Sequence, residues 1–158
     1  MSIEAPQSRP RHDALLVHGY WLTEKGDKTA LALRNRLAIR AAALLYKEGR
    51  VGKIFLAAGK LWGDEYPSVG ELMTKELETV YGIPHEDIIT EDKAYSTGGE
   101  VKRFLQHARE NDWTNLLDVA FDQHLRTIPD AFKQYKGRAS FESVEQIIKD
   151  SKPNRHVL

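Results

Sequence analysis

The sequence predicts an α/β protein: a single open sheet of about five mainly parallel strands flanked by helices. Three observations predict it. The runs DALLV, VGKIFLAA and LLDVAF are short, apolar and sharply bounded, as strands buried on both faces are. Between them lie stretches whose apolar residues recur every three to four positions, long enough to be crossover helices. The two kinds of segment alternate along the chain, which is the pattern of parallel pairing.

The elements follow in order. MSIEAPQSRPRH, residues 1–12, is polar and holds Pro6 and Pro10, so it reads as an arm outside the fold, with the domain at 13–150 and a polar tail at 151–158. Asp13 to Val17 is the first strand, closed by His18-Gly19, and the loop after it carries Tyr20 and Trp21. Thr29 to Glu48 is a helix with apolar positions at Leu33, Leu37, Ala41, Leu44 and Leu45, and Gly49 ends it. Val51 to Ala58 is the second strand, closed by Gly59-Lys60, and Trp62 and Tyr66 lie in its loop. Pro67 to Tyr81 is the second helix, with Ser68 near its start and Gly82 at its end. Asp87 to Thr90 is a short third strand, and a helix runs from about Thr97 to Asn111. Leu116 to Phe121 is the fourth strand, in which Asp118 either faces a partner or shifts the register. Asp122 to Arg126 leads into a helix through about Tyr135; Arg138 to Glu142 is a fifth strand and Ser143 to Asp150 a last helix.

With 158 residues the chain fits one domain that needs no disulfide or structural metal. Lysine plus arginine equals aspartate plus glutamate at 23 each, so the overall balance indicates neither nucleic acid nor a membrane surface as partner, although Arg34, Arg36 and Arg40 form a possible basic stripe. There is no cysteine, which excludes disulfides, thiolate metal sites and cysteine nucleophiles. No apolar run approaches the ~20 residues of a membrane span, so the expected location is the cytoplasm. The oligomeric state is not legible.

Every polar loop named above follows a strand, so all of them fall on the carboxyl edge, where ligands of such sheets bind. In DIITEDKAYSTGGE, Ser96-Thr97-Gly98-Gly99 opens a helix whose first amides can hold an anion; the alternative is a plain N-cap at Ser96 or Thr97 with Glu100 completing a capping box.

Taken together, DALLVHG, the helix ending LLYKEG, KIFLAAG, Ser68 to Met73 before YGIP, IITED, AYST and FDQHLR resemble, in this order, the YdcF-like family, a SanA- and ElyC-related domain of unknown function. The resemblance covers residues 13–135 and rests on the order and spacing of seven motifs rather than on any one. It implies a Rossmann-like domain with a polar site on the carboxyl edge; S-adenosylmethionine binding is suggested for some relatives and envelope-related roles for others, and the ligand expected here is S-adenosylmethionine or a nucleotide. Gly19 matches the glycine after strand one, Gly59 one glycine of the pair after strand two, and Glu71 the acid of helix two; Glu91, Ser96, Thr97, His124 and Arg126 match the remaining polar positions. The chain departs from the pattern at Ala57-Ala58-Gly59-Lys60, where the family has Ser-Gly-Gly, and at Gly99-Glu100, where it often has Glu-Asn. The helix-one arginine aligns equally with Arg34, Arg36 or Arg40.

The candidate roles follow from chemistry. His124 can move a proton near neutral pH, and Arg126 can hold a phosphate or carboxylate with its planar fork; a solvated helix cap is the alternative for both. Glu91 is the candidate general base beside His124. Glu71 is either a ligand acid or a capping carboxylate, and Lys60 either a phosphate partner or a solvated lysine. His18 and Gly19 fall in the crevice expected where strand order reverses. No metal is expected, since His18, Asp122 and His124 form no paired motif of the HExxH kind. The G-x-S-x-G elbow, the G-x-G-x-x-G fingerprint and the P-loop are all absent. The resulting expectation is an enzyme of transferase or hydrolase kind acting on an anionic, nucleotide-like or S-adenosylmethionine-like small molecule. The competing expectation, favoured by Gly99-Glu100, is a non-catalytic ligand-binding or protein-interaction module.

Overall fold

The strand runs and helix periodicities resolve, in a computed structural model, into one parallel five-stranded sheet with helices on both faces. The structure describes residues 11–20, 31–59 and 65–151. Lys60, Trp21, Trp62, Thr29, most of the N-terminal arm and the tail beyond Ser151 lie outside the described residues.

Strands β1 (His12–His18), β2 (Val51–Ala57), β3 (Ile88–Glu91), β4 (Leu116–Ala120) and β5 (Ser140–Ser143) are ordered β3-β2-β1-β4-β5. The chain therefore winds outward from β1 in one direction through β2 and β3. It then returns to the other side of β1 for β4 and β5, so the order reverses between β1 and β4. Alternation along β1 divides its side chains between two cores: Leu15 and Val17 pack in one cluster, Ala14 and Leu16 in the other. The first core is covered by α1 (Leu33–Lys47), α2 (Val69–Thr79) and α5 (Val144–Asp150), the second by α3 (Thr97–Glu110) and α4 (Ile128–Gln134). Among the described residues no helix is long and apolar enough to cross a membrane.

Several boundaries differ from expectation. β1 begins at His12, whose N–H donates to Arg50 O at 2.8 Å, so the strand takes in a residue assigned to the arm. Gly49 and Gly82 end α1 and α2 with φ of 74° and 68°, the left-handed conformation that glycine adopts without strain. α2 starts at the Ser68 cap rather than at Pro67. The expected single helix after β4 is a 3₁₀ turn, His124–Arg126, followed by α4, with Pro129 in its first turn. β5 starts two residues later than expected, at Ser140, and ends one later, at Ser143.

Candidate active site

Four strand ends supply the site, Ala58 and Gly59 after β2 joining the ends of β1, β3 and β4. After β1, the Gly19 N–H donates to Ala57 O at 3.0 Å and extends the ladder by one rung. A Cβ on Gly19 would lie 2.2 Å from the Ala58 Cβ, so only glycine fits beside that alanine. The buried side chain of Asn35 in α1 then clamps the next residue: its Oδ1 accepts from Tyr20 N at 2.7 Å and its Nδ2 donates to Tyr20 O at 3.1 Å. This fixes the Tyr20 ring edge-on to Phe121, at 5.4 Å between centroids.

After β4, Leu125 N donates to Phe121 O at 3.0 Å and folds the chain back, which carries His124 over the strand ends. At the start of α3, Ser96 accepts from Gly99 N at 3.1 Å through its hydroxyl and from Glu100 N at 2.8 Å through its carbonyl. The amides of Thr97 and Gly98, ahead of the first intrahelical acceptors, stay available to a ligand.

His124 lies between two hydroxyls, with Nδ1 2.9 Å from Tyr20 Oη and Nε2 2.9 Å from Thr97 Oγ1. The Tyr20 hydroxyl has one acceptor in reach among the described residues, His124 Nδ1, while the Phe121 backbone acts on its oxygen. Tyr20 therefore donates to Nδ1, and Nε2–H donates to Thr97 Oγ1. Burial, and then the charges of His18 and Arg34, hold His124 down at about 4, so it is neutral at physiological pH. Burial likewise raises the Tyr20 phenol above its ordinary value.

Beneath His124 lies a buried group of three. His18 donates through Nδ1 to Glu100 Oε1 at 2.7 Å and through Nε2 to Asp118 Oδ2 at 2.8 Å. Its ring meets that of His124 edge-on at 4.8 Å. With a carboxylate oxygen facing each nitrogen, both nitrogens are donors and the ring is a cation. Burial alone pushes this imidazole down, but the charge and hydrogen bond of Asp118, joined by those of Glu100, push it up to about 10. Burial raises Glu100 above the usual carboxylate range, against the pull of His18.

Gly19, Tyr20, Arg34, Gly59, Thr97 and His124 are among the residues that enclose a cavity of about 530 Å³ at this edge. That volume falls within the range of small-molecule sites in general. Arg34 is the helix-one arginine that lines it, with its guanidinium 5.5 Å from the Phe121 ring centroid. Among the described residues no group of three or more His, Cys, Asp or Glu is disposed to hold a metal ion.

The predicted residues divide. Gly19, Gly59, Ser96, Thr97 and His124 line the cavity, and His18 lies under it. Gly59 is required by packing, since a Cβ there would stand 2.7 Å from Ala94 O and 2.8 Å from the Tyr95 ring. Arg126 is exposed and does not line the cavity: in a 3₁₀ turn of about three residues, positions i and i+2 point in different directions, so His124 and Arg126 diverge. Glu91 ends β3 and accepts from Lys93 N at 2.7 Å, away from the cavity wall. Glu71 closes a capping box with Ser68, accepting from Ser68 N at 3.3 Å. Glu100 is not the capping-box acid of α3: it lies one position beyond the box and turns to His18.

Reading the sequence alone misses Glu100 and leaves Arg34 undecided. The available signal is Asp118, a carboxylate inside an apolar strand, which needs a buried partner. His18 and Asp118 both fall on the α3 face of the sheet, because the Leu16 to Asp118 register places them one pleat apart. No protein-family model and no curated protein matches the chain.

Proposed function

We propose that this is a YdcF-like small-molecule enzyme, of transferase or hydrolase kind, acting on an anionic ligand at the carboxyl edge between β1, β3 and β4. The observation that carries the reading is a convergence on one cavity of about 530 Å³, where the start of α3, Arg34 and a neutral His124 bonded to Thr97 meet at the reversal of strand order. The free amides of Thr97 and Gly98 and the guanidinium of Arg34 suit a phosphate, or the carboxylate of S-adenosylmethionine. A neutral imidazole can take or relay a proton without first losing one. The order of motifs across residues 13–135 supports the family, and the alternating strands and helices support its Rossmann-like frame.

A second reading is favoured by one observation. Because Tyr20 occupies Nδ1, the Nε2 atom presents a hydrogen rather than a lone pair to Thr97. In that state Thr97 has no base and serves as a donor to bound ligand, which fits a binding module.

Thermal-shift measurements with nucleotides, S-adenosylmethionine and sugar phosphates test the site, since native-state binding raises the melting temperature. At least one ligand should stabilise the protein, and Thr97→Ala and His124→Ala should abolish the shift. Unchanged affinity in both variants and in Arg34→Ala would place the ligand elsewhere. Turnover of a bound ligand selects the enzyme reading over the module.

A further inference from the structure

We propose that Glu100 is the carboxylate through which this cavity exchanges protons, with His18 and Asp118 as the positioning residues that set its charge. This rests on reading the cavity as the ligand site. Of the three buried groups, Glu100 alone lines the cavity; the side chains of His18 and Asp118 are fully enclosed. One imidazolium stands between two carboxylates, at 2.7 and 2.8 Å, so the ionised cluster carries one negative charge in excess. Among the described residues Asp118 Oδ1 has no hydrogen bond and Oδ2 is bound to the same ring, so no second donor shares the excess. Glu100 is the one of the three that opens on the cavity, so a proton passing between the cluster and ligand or solvent passes through its carboxyl group.

The groups around Glu100 act in opposite senses: burial and the Asp118 charge favour its acid form, the His18 cation its carboxylate. From β1 comes the His18 cation, from β4 the Asp118 carboxylate, and from the following turn His124, which is neutral. Tyr20 presents an un-ionised phenol, Thr97 of the same helix an uncharged hydroxyl, and α1 contributes Arg34 on the cavity wall. Glu100 thus has one tightly bound cation that it shares with Asp118, and one further cation that a ligand anion also draws on.

The chemistry follows with atoms and charge in balance. A hydroxyl of the ligand that loses its proton to the Glu100 carboxylate leaves an alkoxide and a carboxylic acid, and the cluster becomes neutral. In the opposite sense, an anion entering the cavity is repelled by the excess negative charge until Glu100 takes a proton from solvent, so anion binding should be accompanied by proton uptake. A static ion pair would do neither, since Glu100 would stay ionised throughout.

The test is carboxyl-carbon NMR titration of the full chain with ¹³C-labelled glutamate, with Glu100 assigned through its own backbone. The Glu100 midpoint should lie resolvably above those of the exposed glutamates. Asp118→Asn keeps an acceptor for His18 and removes a neighbouring charge, so it should lower that midpoint; Glu100→Gln should remove the transition. Titration of Glu100 together with the exposed glutamates in the wild-type protein would overturn the proposal, even if Asp118→Asn fails to fold. The titration uses no ligand, so its failure is distinct from failure of the ligand screen: a bound ligand with an ordinary Glu100 leaves the site standing without this role.

Discussion

Two histidines at opposite ends of β1 show what separates the two edges of the sheet. His12 and His18 are buried alike, at 3% and 1% exposure, and by alternation fall on the same face. His18 has a carboxylate against each nitrogen and is pushed up to about 10. Among the described residues His12 has no hydrogen-bond partner on either nitrogen, and burial lowers it although Glu142 acts in the opposite direction. Burial is thus common to both, and the placement of partners decides which ring carries charge. At the amino edge the remaining charges close on one another, Arg50 with Glu142 and Lys53 with Asp87, and hold strands together. At the carboxyl edge the charged cluster opens through Glu100 onto a cavity.

The contrast can be broken most forcefully at Asp118. Asp118→Ala leaves a buried imidazolium with one partner, and urea denaturation should show a loss of about 3–5 kcal/mol. A loss under about 1 kcal/mol would mean that the His18 cation is not held by this pair. A smaller effect separates the two rings by pH. The unfolded chain titrates histidine near 6.5. His18, raised in the fold, adds stability that is complete below about 6.5 and disappears as pH climbs through about 10. His124, held at about 4, and His12, also lowered, act in the opposite sense: the unfolded chain binds their protons first, so stability falls as pH drops from about 6.5 toward 4. Urea midpoints measured across pH should therefore peak near 6.5, and a midpoint still rising at pH 9 would contradict the charge assigned to His18. The smallest change is expected at the amino edge. His12→Phe replaces an unpartnered ring by an apolar one of similar shape and should alter stability by less than about 1.5 kcal/mol while flattening the acid limb of the same profile.

Which parts were legible from the residues follows from how local their causes are. Apolar runs marked β1, β2 and β4 because burial inside the sheet leaves no alternation to obscure them, whereas the edge strands β3 and β5 are only partly buried and carry no such run; Gly49 and Gly82 marked helix ends because a left-handed residue is a local requirement. The convergence of loops at one edge followed from parallel topology alone. The facing direction of a side chain is a finer matter. Arg126 turned outward because side chains two positions apart diverge on an α-helix and on a 3₁₀ turn alike, so that only one of His124 and Arg126 can face the cavity, and the pattern of apolar residues does not encode which. Glu100 read as a cap because Ser96 precedes a helix, and its true partner lies across the sheet in β1. Asp118 stood out as an anomaly in its strand, yet naming its partner required the β1 to β4 register.

The contact between Gly19 and Ala58 carries a consequence for how this chain can change over time. A methyl at position 19 would fall 2.2 Å from the one already present on Ala58, so the two strand ends hold room for one methyl between them. Moving it, by Gly19→Ala together with Ala58→Gly, would leave only the position-58 Cα in the way, 3.1 Å off, a clash that a few tenths of an ångström of movement relieves. Position 19 therefore cannot gain a side chain while Ala58 keeps its methyl, whereas Ala58→Gly meets no such bar, so descendants with more than glycine at 19 should carry glycine at 58.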